Sequence, residues 1–263
     1  MQPMNFARSW RARWTIWQRV QDVAINQGEV LLSFDDGPHP ETTPRLLDVL
    51  EQENVRGAFC VCGECIRAAP DAVRIMARNG HLIVNHGDRH QPLALFSEKA
   101  LRTEIENCDV AIANALETAA FRTKYYRPAC GLSTAAMKKV LVQLKKQVLP
   151  VTHFGWDTNV NRHTYQDWIA VTQEAARHDQ GGIFVLHDRR LHFWMEPDYD
   201  PSDQESSAYR GWVPDAASQL INRLRSDGFT FLDPHIWSRR NASSSLNQGL
   251  LDPGEVSRQT DPE

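Results

Sequence analysis

The chain lacks any apolar run of the ~20 residues needed to cross a bilayer, and it lacks an excess of basic residues. Its 263 residues hold 29 Lys and Arg against 33 Asp and Glu, a formal charge of −4, which argues against nucleic acid as the main partner. No continuous apolar segment follows the basic N-terminus, so residues 1–20 do not read as a secretory signal. Nor is there an even set of cysteines. Cys60, Cys62, Cys65, Cys108 and Cys130 make five, and an odd number without a signal reads as reduced thiols rather than a disulfide framework. A cytoplasmic location is the expectation. There is no internal repeat. These absences leave an ordinary globular composition, 41% hydrophobic and 24% charged, long enough for a full core.

Phe6, Trp10, Trp14, Trp17 and Val20 recur at helical spacing among Arg8, Arg11, Arg13 and Arg19. Such a helix either docks its aromatic stripe on the domain or rests weakly on an anionic membrane surface through residues 6–20. Residues 1–28 therefore read as an extension. From 29 to 236 the pattern alternates. Strands are expected at Val30–Phe34, Gly57–Val61, His81–Val84, Lys124–Arg127, Val148–Trp156, Ile183–Leu186 and Phe229–Leu232. Helices are expected from Thr43, over Pro70–Asn79, from a Ser97 cap, from a Ser133 cap to Lys146, over Gln166–Arg177 and over Pro214–Ser226. Alternating β and α elements imply parallel strands under covering helices, and about seven of them fit an α/β fold of the distorted (β/α) barrel type. Residues 237–263, rich in Ser, Asn and Gly, read as a disordered tail.

The residues that carry chemistry fall at strand ends. Asp35 and Asp36 follow the first strand, His86 and His90 the third, and Arg127 the fourth; Trp156 and Asp157 end another, and His187 and Asp188 follow Ile183–Leu186. In a parallel barrel these ends share one face, where active sites sit. Two adjacent carboxylates raise one another's pKa, and a cation relieves that strain. His86 and His90, four apart and read as one side of a helical turn, offer two imidazoles to one ion. With Asp36 they make an N,N,O set that leaves a position for water, as a catalytic zinc site requires. Asp35 is then free to accept the water's proton.

Ser33-Phe34-Asp35-Asp36-Gly37, Gly80-His81 with Asn85-His86 and His90, Arg127-Pro128-Ala129-Cys130-Gly131 and Leu186-His187-Asp188 resemble, in order, the motifs of the polysaccharide deacetylase (NodB-homology, carbohydrate esterase family 4) family. The resemblance covers about residues 29–236. It implies a distorted (β/α) barrel that removes N-acetyl groups from N-acetylglucosamine-containing glycans with one divalent metal, commonly zinc, with cobalt, manganese or nickel as alternatives. It further implies that Asp36, His86 and His90 bind the metal and that Asp35 is the general base, oriented by Arg127. His187 is then the acid that protonates the departing amine, and the Cys130 N–H shares the oxyanion charge. The chain departs from the family twice. Cys130 stands where Tyr is usual. The Asp-x-x-Asp-Trp motif after a Trp becomes Trp156-Asp157-Thr158-Asn159-Val160-Asn161-Arg162, with Asn159 and Arg162 at the acidic positions. Support of the acid His then passes to Asp157 or Asp188.

Cys60, Cys62 and Cys65 read as buried small residues of a strand, with a metal or redox cluster as the alternative. The long segment Arg189–Trp212, with Phe193, Trp194, Tyr199, Tyr209, Trp212 and five acids, reads as a binding loop or as a loop packing its own aromatics. Two other functions fit less of this pattern. One is a glycan-binding protein of the same fold with weak or no deacetylase activity. The other is a non-haem iron oxygenase, which also uses two His and a carboxylate.

Overall fold

The computed structural model describes residues 16, 18–191 and 199–243. Phe6, Trp10, Trp14 and Trp17 lie outside them, as do Phe193, Trp194 and residues 244–263. Val20 sits in a 3₁₀ turn, Val20–Asp22, rather than a helix.

One parallel sheet contains β1 (Glu29–Asp35), β2 (Ala58–Val61), β3 (Leu82–Asn85), β4 (Tyr125–Tyr126), β5 (Gln147–Val148), β6 (His153–Phe154), β7 (Gly181–His187) and β8 (Thr230–Phe231). The order is β5-β4-β3-β2-β1-β7-β6, with β8 paired to the start of β1. β5 and β6, the two ends of this order, are consecutive in the chain. The sheet therefore curls until residues 147–154 serve both of its edges, giving a distorted barrel. The sequence pattern reads this segment as one strand. Pro150, with no N–H for a ladder, breaks it in two. The break frees the Pro150 carbonyl to accept a hydrogen bond from Arg127 at 3.1 Å.

Helices α1 (Thr42–Gln52), α2 (Gly63–Ala68), α3 (Pro70–Arg78), α4 (Glu98–Ala115), α5 (Ala135–Gln143), α6 (Tyr165–Asp179) and α7 (Val213–Ser226) join the strands. α2 was not expected, being six residues long with no apolar period of its own. Ser97 caps α4, accepting the Ala100 N–H. Thr134, not Ser133, caps α5, and that helix stops at Gln143 rather than Lys146. Lys146 instead turns inward to a buried ion pair with Asp109 at 2.8 Å.

Strand periodicity sorts β1 between two cores. Val30, Leu32 and Phe34 pack outward with Leu46, Leu47 and Leu50 of α1 and Leu220 and Ile221 of α7. Leu31 packs inward with Ala58, Cys60, Val84, Tyr125 and Ile183. Burial on both faces explains why the strands read as continuous apolar runs. The helix α8 (Pro234–Ser243) extends past the domain limit expected at 236. It closes the N-terminal end of the barrel. Arg240 pairs with Glu29 at the start of β1 at 2.6 Å, Tyr125 Oη bonds Ser238 Oγ at 2.9 Å, and Trp237 is 0% exposed against Tyr125. The local composition hid this, because one buried indole rather than an apolar stripe anchors the helix. Trp237→Ala is expected to cost about 3–5 kcal/mol, read as a lower urea midpoint at unchanged m-value.

Candidate active site

At the C-terminal end of the strands the inward column turns polar. Leu31, Ser33 and Asp35 share the inner side of β1, and Asp35 lies in register with Cys60 of β2 and His187 of β7. Ser33 Oγ donates to the Phe184 carbonyl at 2.9 Å. The sheet thereby sets Asp35 and His187 side by side, although they lie 152 positions apart in the chain. Next in chain, Asp36 takes φ +70° and leaves the strand. Gly37 then passes so close to Asp188 that a Cβ there would collide with its carboxylate.

The two neighbouring acids have separate partners. Asp35 Oδ1 accepts from Arg127 Nη1 at 2.7 Å, and the same nitrogen donates to Ser33 Oγ at 2.7 Å. Both side chains are buried, Arg127 at 1% exposure. Asp36 Oδ1 stands 3.2 Å from His86 Nε2 and 3.5 Å from His90 Nε2. This oxygen is buried and has no hydrogen-bond donor among the described residues. The three ligand atoms lie within 4.8 Å of one another. A tetrahedral ion with bonds of about 2.0–2.1 Å sets its ligands about 3.3 Å apart, so these residues fit a divalent cation.

Their support is local. His86 Nδ1 bonds the Arg127 carbonyl at 2.7 Å, which leaves Nε2 to face Asp36 Oδ1. Residues 86–90 are an irregular bend, not the helical turn expected, with φ +87° at Gly87 and +51° at His90. The first-turn N–H groups of α2 hold it, Gly63 on the Gly87 carbonyl and Glu64 on the Asp88 carbonyl. Glu104 Oε2 accepts the Asp88 and Arg89 N–H groups at 2.9 and 2.8 Å. From below, Asn85 donates to Asp109 at 2.9 Å and accepts the Gly87 N–H at 2.9 Å. Burial alone would raise the Asp36 carboxyl, but the His90 and His86 imidazoles beside it hold it well below the usual carboxylate range. Burial pushes His90 down to about 4, outweighing the pull of Asp36; at neutral pH it is the uncharged imidazole that a cation requires. His81, quoted in the same motif, lies at the far end of β3, where Nδ1 accepts the Gly57 N–H at 3.1 Å.

On the strand beside Asp35, His187 Nδ1 bonds Asp157 Oδ1 at 2.8 Å, and Asp157 Oδ2 accepts the His187 N–H at 2.8 Å. Burial works against the imidazolium, but the charge and hydrogen bond of Asp157 outweigh it and raise His187 to about 9. Asp157 is thus the support that the altered motif left open between two residues. Asp188 is engaged elsewhere, accepting from Thr43 Oγ1, with burial pushing its carboxyl up to about 7. Asn159 and Arg162, read from the sequence as the motif's acidic positions, are exposed, and Arg162 pairs with Glu205 at 3.2 Å.

Trp156, with φ +53°, is 62% exposed beside this pair. Cys130, with φ +54°, presents an exposed thiol in the turn Ala129–Gly131. Cys60, Cys62, Cys65 and Cys108 are buried, and among the described residues they form no metal cluster. In the loop after His187, the Leu191 N–H approaches Asp36 Oδ2 at 3.4 Å, while Trp212 packs in the core on Tyr165. Arg210, which nothing in the sequence pattern singled out, is buried under Asp157. Its isolation in a loop, far in sequence from both strand ends, left no motif to find it by.

Residues 22–149 match the family model described as "Polysaccharide deacetylase". A chitooligosaccharide deacetylase of Bradyrhizobium sp. is 31% identical over 203 residues, which cover 76% of this chain and 86% of that protein. A peptidoglycan-N-acetylglucosamine deacetylase of Bacillus cereus is 38% identical over 127 residues, 46% of this chain but only 45% of that longer protein. The solved chitin deacetylase of Colletotrichum lindemuthianum shares the fold, with a TM-score of 0.64 at 24% identity over 81% of this chain and 88% of that one. Among the described residues, no helix is long and apolar enough to cross a membrane. The motifs in order, the curled parallel barrel that gathers them and the likeness along most of the Bradyrhizobium protein agree: the chain belongs to the polysaccharide deacetylase (NodB-homology) family, hydrolases that act on amide C–N bonds of carbohydrates.

Proposed function

We propose that the protein removes an N-acetyl group from an N-acetylglucosamine-containing carbohydrate, with Asp36, His86 and His90 holding one divalent metal, zinc by preference for the two-imidazole, one-carboxylate set. The observation that carries this reading is the division of the carboxylate pair, Asp36 on two imidazoles and Asp35 on Arg127, opposite a His187 in register with Asp35. When bound, the metal supplies Lewis-acid polarisation of water and of the amide carbonyl. Asp35 takes the proton of the attacking water. Arg127 keeps its carboxylate aimed for that transfer through the hydrogen bond at 2.7 Å. His187 delivers a proton to the departing amine, and Asp157 stabilises the imidazolium until it does. The family resemblance assigns a share of the developing oxyanion charge to the Cys130 N–H, and the exposed Trp156 ring offers a face for sugar stacking. The names of the Bradyrhizobium and Bacillus cereus relatives support an N-acetylglucosamine oligomer as substrate.

The test is acetate release from short N-acetylated oligosaccharides with zinc, cobalt, manganese and nickel in turn. Binding of the oligosaccharide with no acetate under any metal would replace this reading with that of a glycan-binding protein. Oxygen consumption would point to an oxygenase, against which the Asp35–Arg127 pair and His187 already argue.

The acid assignment has its own signature. His187 stays protonated below about 9, so activity should persist into alkaline pH and fall as pH rises through that value. Asp157→Asn removes the charge that raises it. The alkaline limb of kcat should then move to lower pH, and kcat should fall roughly 10–100-fold. An unmoved limb would remove His187 from the acid role.

A further inference from the structure

The carboxylate that holds His187 is itself held. Arg210, in the loop leading to α7 and 3% exposed, places one guanidinium across both residues. Nε donates to the His187 carbonyl at 2.8 Å, Nη1 to the Asp157 carbonyl at 2.8 Å, and Nη2 to Asp157 Oδ2. The Trp212 ring covers the guanidinium at 4.4 Å and is buried in turn by Tyr165 and Trp168. A buried arginine is costly unless its charge is paired and its donors are used, and here both conditions are met within one cluster. The arrangement repeats, on the acid side, what Arg127 does for Asp35: each half of the site has a carboxylate with its own buried guanidinium.

We propose that Arg210 is a positioning residue of the acid step, locking Asp157 so that Oδ1 meets His187 Nδ1 and moderating the hold of that carboxylate on the imidazolium proton. The fork geometry accounts for the first part. With Nη2 on Oδ2 and Nη1 on the Asp157 carbonyl, the carboxylate cannot rotate away from the ring. The second part follows from charge. His187 bonds Asp157 through Nδ1, and Asp36, Asp35 and His90 are near enough for their charges to act on it or be acted on by it. Those carboxylates all favour the cation, whereas a general acid must release its proton. Arg210, with Arg190 near it, is the opposing charge on that side.

This inference rests on His187 being the acid. Its test combines Arg210→Gln, Arg210→Lys, Asp157→Asn and the Arg210→Gln/Asp157→Asn double variant, read by kcat, KM and the NMR titration of the His187 ring in metal-loaded protein without substrate. Arg210→Gln should lower kcat roughly 10–100-fold with KM unchanged. It should move the His187 titration upward, opposite to Asp157→Asn. Arg210→Lys keeps the charge but not the fork, so it should hold the titration near wild type and recover only part of kcat. Adding Arg210→Gln to Asp157→Asn should cost much less than the product of the two single losses, because Arg210 acts mainly through Asp157. Multiplying losses, or an unmoved titration in Arg210→Gln, would overturn the inference. If Arg210→Gln does not fold, Arg210→Lys decides: a wild-type kcat overturns the proposal and a reduced one supports it. Absence of acetate release by the wild type would instead defeat the functional reading, and the NMR titrations would still report whether Arg210 controls His187.

Discussion

Asp35→Asn should lower kcat by about 10²–10⁴-fold while the protein keeps its metal. Asn has the shape of Asp and can still accept the Arg127 hydrogen bond, but it cannot take a proton from water. The side chain is 4% exposed and touches Arg127 at 2.7 Å, so no solvent base can stand in for it. The metal ligands come from different atoms, and Asp35 Oδ2 is 4.0 Å from the nearest imidazole nitrogen, His86 Nε2. Metal content after dialysis should therefore match the wild type. Leaving the Arg127 charge without an ionised partner also costs stability, at most about 3–5 kcal/mol, so activity is to be compared below the melting range of the variant. Near-normal turnover would move the base elsewhere. Asp188, buried with its carboxyl pushed to about 7, would be the next residue to replace.

Asp36→Ala should abolish turnover through a different route. It removes one of three ligand atoms and leaves His86 and His90 facing a gap. Metal affinity should fall by more than about 100-fold, the upper end of what even an outer-contact mutation costs. Thermal unfolding makes this visible without substrate. A ligand at 100 times its dissociation constant stabilises the folded state by about 2.7 kcal/mol, so added zinc should raise the melting temperature of the wild type. The same addition should leave Asp36→Ala unmoved, and Asp35→Asn should respond like the wild type. Equal zinc responses in Asp36→Ala and wild type would place the metal away from Asp36, His86 and His90.

The pair of variants also separates the two adjacent acids, which no single measurement of activity does. Asp35 and Asp36 differ by one position in the chain. The pleat sends Asp35 inward to Arg127, and the positive φ of Asp36 turns its carboxylate toward the imidazoles.

Much of this site is legible in the sequence because it is built at strand ends. A parallel strand buried on both faces announces itself as an apolar run, and the residue that follows it must lie on the barrel's C-terminal face. Leu31–Asp36, Ile83–His86 and Ile183–His187 are each local signals of this kind. Where the expectation slipped, a long-range contact had overruled a local one. Pro150 is the exception, a local cause: with no N–H for the ladder it divides the strand, and its freed carbonyl accepts from Arg127. The His86–His90 segment is a bend because α2 and Glu104 supply its backbone partners from outside. α8 persists because one indole fills the barrel floor.

By itself, then, the sequence determined the barrel and the order of its strands along the chain, since both depend on periodicity, and it marked Asp36, His86 and His90 as candidates by their places after strands. The tertiary structure alone decided what supports the acid. Read from the sequence, Asn159 and Arg162 stand at the motif's acidic positions and the support is open between Asp157 and Asp188; the structure bonds Asp157 to His187, with Arg210 holding it from 53 positions away. Hydrogen bonds depend on distance in space, and no local pattern marks a buried guanidinium whose partners come from two other turns of the chain.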